Sequence, residues 1–396
     1  MSRSILRQDA AQPCPRPRRY LVWSLPIVLL ALLSLPLLAL GSHASSPLFA
    51  TRGLMTSSGQ QGKPAAARPA PSGPAAPAAA APVVSWEYDQ LHPAVAYGSG
   101  ADEYLVVWED HHWADGTDSD IYGQRMSTGG APIGSNFGVS WLNNRHLAPD
   151  VAHNWPDQEY MVAWEYEYSA SDHDIYARRV NRDGALLGGE ISVAAPTNYD
   201  SNPVLAYSPT QNGYLVVWER KVGSDEFAQH DIYAQRFAWD GTLLGGAFAL
   251  DTGSLDQLHP AIAYNVSSDE YLVVWQDHTA GNWDIMGQRV KADGTWLSGE
   301  FTIEAPGHDN TRPDVAYNNS RNEYLVAWED QIGGATSDWD IKAWRLYGDG
   351  SHANFFLVSS EGSQRRARVA RVPAVDVALE PVDLHQVGVD VEAHGR

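Results

Sequence analysis

The sequence predicts an all-β fold, a β-propeller of four-stranded antiparallel blades. Three observations predict it. An aromatic, β-branched string recurs five times at a spacing of about 55 residues, three further strings recur beside it in a fixed order, and turn-forming residues separate all four.

The first string is Glu-Tyr-Leu-Val-Val-Trp-Glu-Asp at Glu103–Asp110, with copies around Trp164, Trp218, Trp275 and Trp328. It is apolar on both faces, as a strand between two neighbouring sheets must be, and too short and too β-branched for a helix. Asp-Ile-Tyr-Gly-Gln-Arg starts at Asp120, with copies from Asp174, Asp231, Asp284 and Asp340. Pro-Ala-Val-Ala-Tyr starts at Pro93, with copies from Pro149, Pro203, Pro260 and Pro313. A short apolar stretch at Phe137, Ile191, Phe248, Phe301 and Phe356 completes each unit. Asp-Gly pairs at Gly184, Gly241, Gly294 and Gly350 supply tight turns between the third and fourth strings. Asn- or Ser-rich gaps before Glu103, Glu159, Glu270 and Glu323 supply another. Radial repetition of such units gives a propeller; an open β-solenoid is the competing arrangement.

These repeats fill residues 83–361. Residues 362–396 hold degenerate strands: Arg366–Arg371 aligns with Arg312–Tyr317 one period earlier. Val83-Val84-Ser85 stands before the first Pro string as Val139-Ser140 stands before the second. The ring therefore has five blades, or six if the two chain ends form a composite blade that removes free sheet edges.

The two strings resemble repeats of secreted and surface proteins of bacteria, most of them uncharacterised. The resemblance covers residues 83 to 359. It implies a β-propeller-like repeat and no particular activity.

The N-terminus fits export. Arg7, Arg16, Arg18 and Arg19 precede an uncharged apolar run from Tyr20 to Leu40, and Ser42 and Ala44 stand where a signal-peptidase site would. Residues 1–44 are read as a cleaved signal peptide or as a single-helix membrane anchor. Either places the rest outside the cytoplasm, as an extracellular protein or on the outer face of the cell membrane. Residues 45–82 form an Ala/Pro-rich linker. The only cysteine, Cys14, precedes the apolar run, so no disulfide supports the body. With 48 acidic and 27 basic side chains the net charge is -21, which excludes a nucleic-acid-binding role.

Polar residues that recur in every unit are read as structural, because one reaction needs one asymmetric set of groups. This covers the Asp120 and Arg125 series, and Glu109, Glu165, Glu219 and Glu329 with Gln276 in the fourth unit. The aspartates are expected to cap turns and the arginines to clamp carboxylates within a blade. The Trp108 series is expected in the core. Trp113, Trp141, Phe227, Trp283 and Trp339 are placed in loops or near their ends as candidate ligand-stacking rings. Calcium is the one cofactor considered, at Asp115–Asp120, with weaker echoes at Asp172–Asp174 and Asp338–Asp340. Metal ligands stay unassigned, and no catalytic or cofactor-binding residue is singled out.

The function expected on these grounds is a non-catalytic surface propeller, a monomer that binds an extracellular protein or glycan or acts as a scaffold. Two alternatives stand beside it. One is a carbohydrate-active enzyme or lectin-like carbohydrate-binding propeller, the other a purely structural envelope protein. Convergence of the non-repeating polar residues on one mouth would favour ligand binding or catalysis.

Overall fold

The computed structural model describes residues 89–111, 118–141, 144–195, 198–223, 229–279, 281–305, 307–331, 339–359, 364–369 and 389–393. Among them are 22 strands and no helix, so the protein is all-β. The signal or anchor segment, the linker and Val83–Ser85 lie outside these residues. Among the described residues no helix is long and apolar enough to cross a membrane.

Each period is one antiparallel meander. The first contains β1 (Gln90–Gly98), β2 (Glu103–His111), β3 (Ser119–Ser127) and β4 (Pro132–Ser140). The second contains β5 (Arg145–Asn154), β6 (Glu159–Ser169), β7 (Asp172–Asn181) and β8 (Leu186–Ala194). The third contains β9 (Tyr199–Ser208), β10 (Gly213–Val222), β11 (Gln229–Ala238) and β12 (Leu243–Asp251). The fourth contains β13 (Gln257–Asn265), β14 (Glu270–Thr279), β15 (Asn282–Lys291) and β16 (Phe301–Glu304). The fifth contains β17 (Asn310–Asn318), β18 (Glu323–Gln331), β19 (Trp339–Tyr347) and β20 (His352–Ser359). Two further strands, β21 (Gln364–Val369) and β22 (Val389–Ala393), pair with each other.

Both classes of turn fall where the turn residues put them. Asp102, Asn212, Asp269 and Asn322 take positive φ between first and second strands, and Gly184, Gly241, Gly294 and Gly350 between third and fourth. At Gly294 the reason is double. Its φ is 87°, and a β-carbon there would meet Arg236 Cδ at 2.7 Å, an arginine of the preceding unit.

The cores lie between units rather than within them. One cluster joins Met161, Ala163 and Ile175 of the second unit to Leu205, Val216 and Trp218 of the third. Equivalent clusters join the first unit to the second, the third to the fourth and the fourth to the fifth. Hence the string around each tryptophan is apolar on both faces: alternate side chains enter the core ahead and the core behind. Trp164, Trp218, Trp275 and Trp328 are 0% exposed and Trp108 is 3% exposed.

Candidate functional site

The first strand of every unit carries a bulge at the residue before its proline. Register shifts fall at Leu91/Ala94, Leu147/Asp150, Leu258/Ala261 and Thr311/Asp314, and in the third unit opposite Val217/Glu219. The proline lacks an N–H, so it leaves no donor stranded where the ladder opens. The residue before it is left-handed in every case: His92 (φ 48°), Ala148 (46°), Asn202 (51°), His259 (53°) and Arg312 (50°). None is glycine, so each carries backbone strain of about 1–2 kcal/mol that its surroundings must hold.

The second strand of the preceding unit holds it. Glu109 Oε2 accepts from Ala148 N at 3.3 Å, and Glu165 Oε2 from Asn202 N at 3.2 Å. Glu219 Oε1 accepts from His259 N at 2.6 Å, and Gln276 Oε1 from Arg312 N at 2.9 Å. The recurring glutamates therefore fasten one unit to the next, where hydrogen bonds inside a blade were expected. Gln276 can replace glutamate because the joint needs only an acceptor oxygen.

On this repeating frame the side chains at the bulge do not repeat. His92 Nδ1 lies 2.9 Å from Glu109 Oε2. Asn202 Nδ2 donates to Glu219 Oε2 at 3.0 Å, and His259 Nδ1 lies 3.9 Å from Glu219 Oε1. Arg312 Nη1 reaches Glu329 Oε2 at 3.4 Å. Histidine, alanine, asparagine, histidine and arginine thus occupy equivalent positions, which is the asymmetry a site requires. The position was legible in principle, as the variable residue before an invariant-looking proline in the Pro-Ala-Val-Ala-Tyr string. No residue-type rule marks it, because the shared property is a backbone angle.

The carboxyls beneath the bulges differ in proton affinity. Burial pushes the Glu109 carboxyl up, but hydrogen bonds from His92 and His111 outweigh it and hold the group below its ordinary value. At Glu219 burial prevails over hydrogen bonds from His259 N–H and the Asn202 and Ser201 side chains, and the charge of Glu165 adds to it; the pKa rises to about 7. Desolvation, and then the charges of Arg312 and Arg368, push the His259 imidazole down to about 4.

A cavity of about 150 Å³ opens at the other end of the first strands, lined from all five units. Its walls nearly repeat. Tyr97, Tyr207, Tyr264 and Tyr317 each donate to an Asp or Asn five residues on, at 2.6–2.9 Å, and His153 stands in the second unit where the others have tyrosine. Trp155, 41% exposed, also lines it.

The remaining expectations resolve individually. The arginines clamp carboxylates as foreseen, through glutamates that open the second strand: Arg125 on Glu103 (2.8 and 2.8 Å), Arg179 on Glu159, Arg289 on Glu270 (2.9 and 2.8 Å) and Arg345 on Glu323. Asp120, Asp174, Asp231, Asp284 and Asp340 do not cap turns. They sit within third strands, because the strand begins before the Asp-Ile pair. Asp120 faces Asp110, Asp284 faces Asp277 and Asp340 faces Asp330. Lys342 Nζ, 2.6 Å from Asp330, offsets the last of these pairs. Trp283 and Trp339 stand at loop ends, at the start of strands β15 and β19, and Trp339 is buried. Trp141 is 55% exposed with the Arg178 guanidinium 5.5 Å from its ring centre. Trp113, Phe227 and Asp115–Thr117 of the calcium candidate lie outside the described residues. Among the described residues, no three His, Cys, Asp or Glu side chains gather for a metal ion.

No family model matches the chain, and no curated protein matches it. Solved structures do. A protein of unknown function from Dyadobacter fermentans DSM 18053 is similar with a TM-score of 0.51 and 10% identity, over 71% of this chain and 86% of that one. An α-L-arabinofuranosidase from Lactobacillus brevis gives 0.43 and 11%, over 66% and 93%. An endo-arabinase from Bacteroides thetaiotaomicron VPI-5482 gives 0.41 and 14%, over 63% and 92%. Likeness at these identities bears on the fold alone.

The expectation of a non-catalytic binding or scaffold body is corrected here. It rests on polar positions recurring symmetrically, and the bulge residues break that symmetry on one rim. The neighbours with a named activity are carbohydrate-cleaving enzymes, a family-43 glycoside hydrolase among them.

Proposed function

We propose that the chain is a carbohydrate-active enzyme built as a β-propeller and exported to act outside the cytoplasm as a monomer. Convergence of β1, β5, β9, β13 and β17 on one cavity supports a radial arrangement with first strands innermost. In this reading β21 and β22 are first strands of a sixth unit, and Val83–Ser85 supplies its outer strand. The apolar N-terminal run supplies the export signal or the anchor.

The observation that carries the enzymatic reading is the opposed displacement of Glu109 and Glu219. Equivalent carboxyls sit at the same rim, one held ionised and one held protonated up to about pH 7. Glycoside cleavage needs that division of labour: one carboxylic acid to protonate the leaving oxygen and one carboxylate opposite it. Glu219 is the proposed proton donor and Glu109 the proposed carboxylate. Side chains cover both, the exposed His92 over Glu109 and the half-buried His259 and Asn202 over Glu219. Those caps also present donors to sugar hydroxyls, and their rotation uncovers the carboxyls.

Release of reducing ends from a panel of oligosaccharides tests this reading. Glu219→Gln should abolish release while keeping sugar binding. The variant should fold, because Gln276 makes the same joint naturally. A chain that releases nothing from any oligosaccharide, or a variant as active as the parent, would remove the proposal.

A further inference from the structure

The cavity at the turn end of the first strands departs from the repeat in one unit. In four units a first-strand tyrosine donates its hydroxyl to the Asp or Asn five residues on. In the second unit His153 stands in that place, and Gln158, five residues on, donates its amide to the Trp155 carbonyl instead. The His153 ring packs on Tyr160 with centres 4.9 Å apart, and burial pushes its imidazole down to about 4, so it carries no charge near neutral pH. Trp155 stands in the turn between β5 and β6, 41% exposed, and borders the same cavity. The corresponding turns at 99–102, 209–212, 266–269 and 319–322 hold no aromatic residue.

The lining sets the chemistry of a ligand. Among the described residues that border the cavity there is no Lys, Arg, Asp or Glu, so a charged group would enter without a counter-charge. A volume of about 150 Å³ suits one benzene-sized ring. The tyrosine hydroxyls have given their protons to Asp or Asn, so what they can still offer is an acceptor lone pair. Tyr264 and Tyr317 have a second hydroxyl beside them, Thr210 Oγ1 at 3.1 Å and Ser267 Oγ at 2.8 Å. Tyr97 donates to Asp102 at 2.7 Å and Tyr207 to Asn212 at 2.6 Å, and neither accepts a hydrogen bond among the described residues. These two belong to the first and third units, which pack on either side of the second, and so they flank His153 and Trp155.

We propose that this cavity binds a phenolic ring, an uncharged aromatic ring that carries a hydroxyl, laid against Trp155 with its hydroxyl donating to Tyr97 or Tyr207. The proposal goes beyond the carbohydrate-active reading and does not depend on it, since Glu109 and Glu219 sit at the bulge end. An aromatic ring suits the aliphatic wall and the Trp155 face, and a single hydroxyl suits acceptors that have no proton left to give. A sugar ring fits less well. It has hydroxyls on every edge, and most would stay unpaired against Leu205, Ala206, Ile262 and Ala263.

Titration of the full chain with phenol, toluene and glucose, followed by ligand-detected NMR, tests it. Phenol and toluene are alike in size and differ in the hydroxyl. Phenol should bind at least tenfold more tightly, because toluene leaves the tyrosine oxygens unpaired, and glucose should not displace it. Trp155→Ala should weaken phenol binding about fivefold and leave the thermal midpoint unchanged, since the ring is partly exposed. Tyr97→Phe combined with Tyr207→Phe should bring phenol down to the affinity of toluene. That variant should fold, because the second unit already does without this hydrogen bond. Phenol binding no tighter than toluene, displacement of phenol by glucose, or a double variant that keeps the preference would overturn the proposal, as would binding of neither aromatic. Release of reducing ends tests the carbohydrate-active reading separately, so either can fail while the other stands.

Discussion

At the scale of single residues, two kinds of position separate cleanly. Trp218 is 0% exposed between the second and third units, and its place was legible because a tryptophan inside a run apolar on both faces has nowhere else to go. Trp218→Ala should lower stability by about 3–5 kcal/mol, read from denaturant midpoints; an unchanged midpoint would take the ring out of the core. Glu219 is a different case, since its place in a strand was legible but its proton affinity was not. That affinity depends on Asn202, Ser201 and the N–H of His259, all brought to it by folding. Its folded pKa is raised to about 7, so between its ordinary value and 7 the folded chain holds a proton that the unfolded chain has released. Stability contributed by this group is therefore present at low pH and lost as pH rises through that window. The thermal midpoint of the parent should fall relative to Glu219→Gln between about pH 5 and 7. Parallel profiles would mean an ordinary carboxyl.

Elements were legible where periodicity and turn chemistry agree. The five strings around tryptophan became β2, β6, β10, β14 and β18, and each Asp-Gly stands at a turn. The recurring aspartates were misplaced because Asp reads as a turn former, whereas cross-strand pairing continues through Asp110 and Asp120 to His111 and Ser119. The bulges were not legible, since a proline in a strand signals irregularity without giving the backbone angle beside it. The arginine clamps offer a test built into the repeat. Gly213 stands where the other units have glutamate, and a β-carbon there would meet the Phe237 carbonyl oxygen at 2.3 Å. Arg236 therefore lacks the clamp that Arg289 makes on Glu270, which is 1% exposed. Both arginines pack under the Asp-Gly turn of the next unit, at Gly294 and Gly350. Packing losses should match, and only Arg289→Ala takes the cation from a buried carboxylate, leaving it the Tyr324 hydroxyl as donor at 3.4 Å. It should cost about 3 kcal/mol, against about 1 kcal/mol for Arg236→Ala. Equal losses in chemical denaturation would show that the clamp contributes nothing.

The whole molecule depends on neighbours, because each core is shared by two units and a terminal unit has one face without a partner. At the fifth unit, Val369 of β21 enters a cluster with Ala316, Ala327, Ile341 and Ala343. That covers the inner part of the face. Phe355, Phe356, Leu357 and Val358 on β20 remain 38–53% exposed, whereas Phe137 and Phe301 at positions equivalent to Phe356 touch the Asp-Gly turn of the unit that follows. A sixth unit completed by both chain ends would give β20 the same cover. Removal of residues 362–396 should then uncover Val369's cluster as well as β20 and leave a strand edge without its ladder. The thermal midpoint should fall, and sedimentation should show edge-to-edge association. Removal of residues 45–80 should do neither, since a segment dominated by Ala, Pro, Ser and Gly has little to pack. The arginines near the C-terminus, which argue against a buried strand by composition alone, fit this account at the position that can be checked: Arg368 is exposed while Val369 is 4% exposed beside it. Alternation lets one strand present a cation to solvent and an aliphatic side chain to the core. A truncated chain that melts with the parent and stays monomeric would show that five units suffice and that β21 is an accessory.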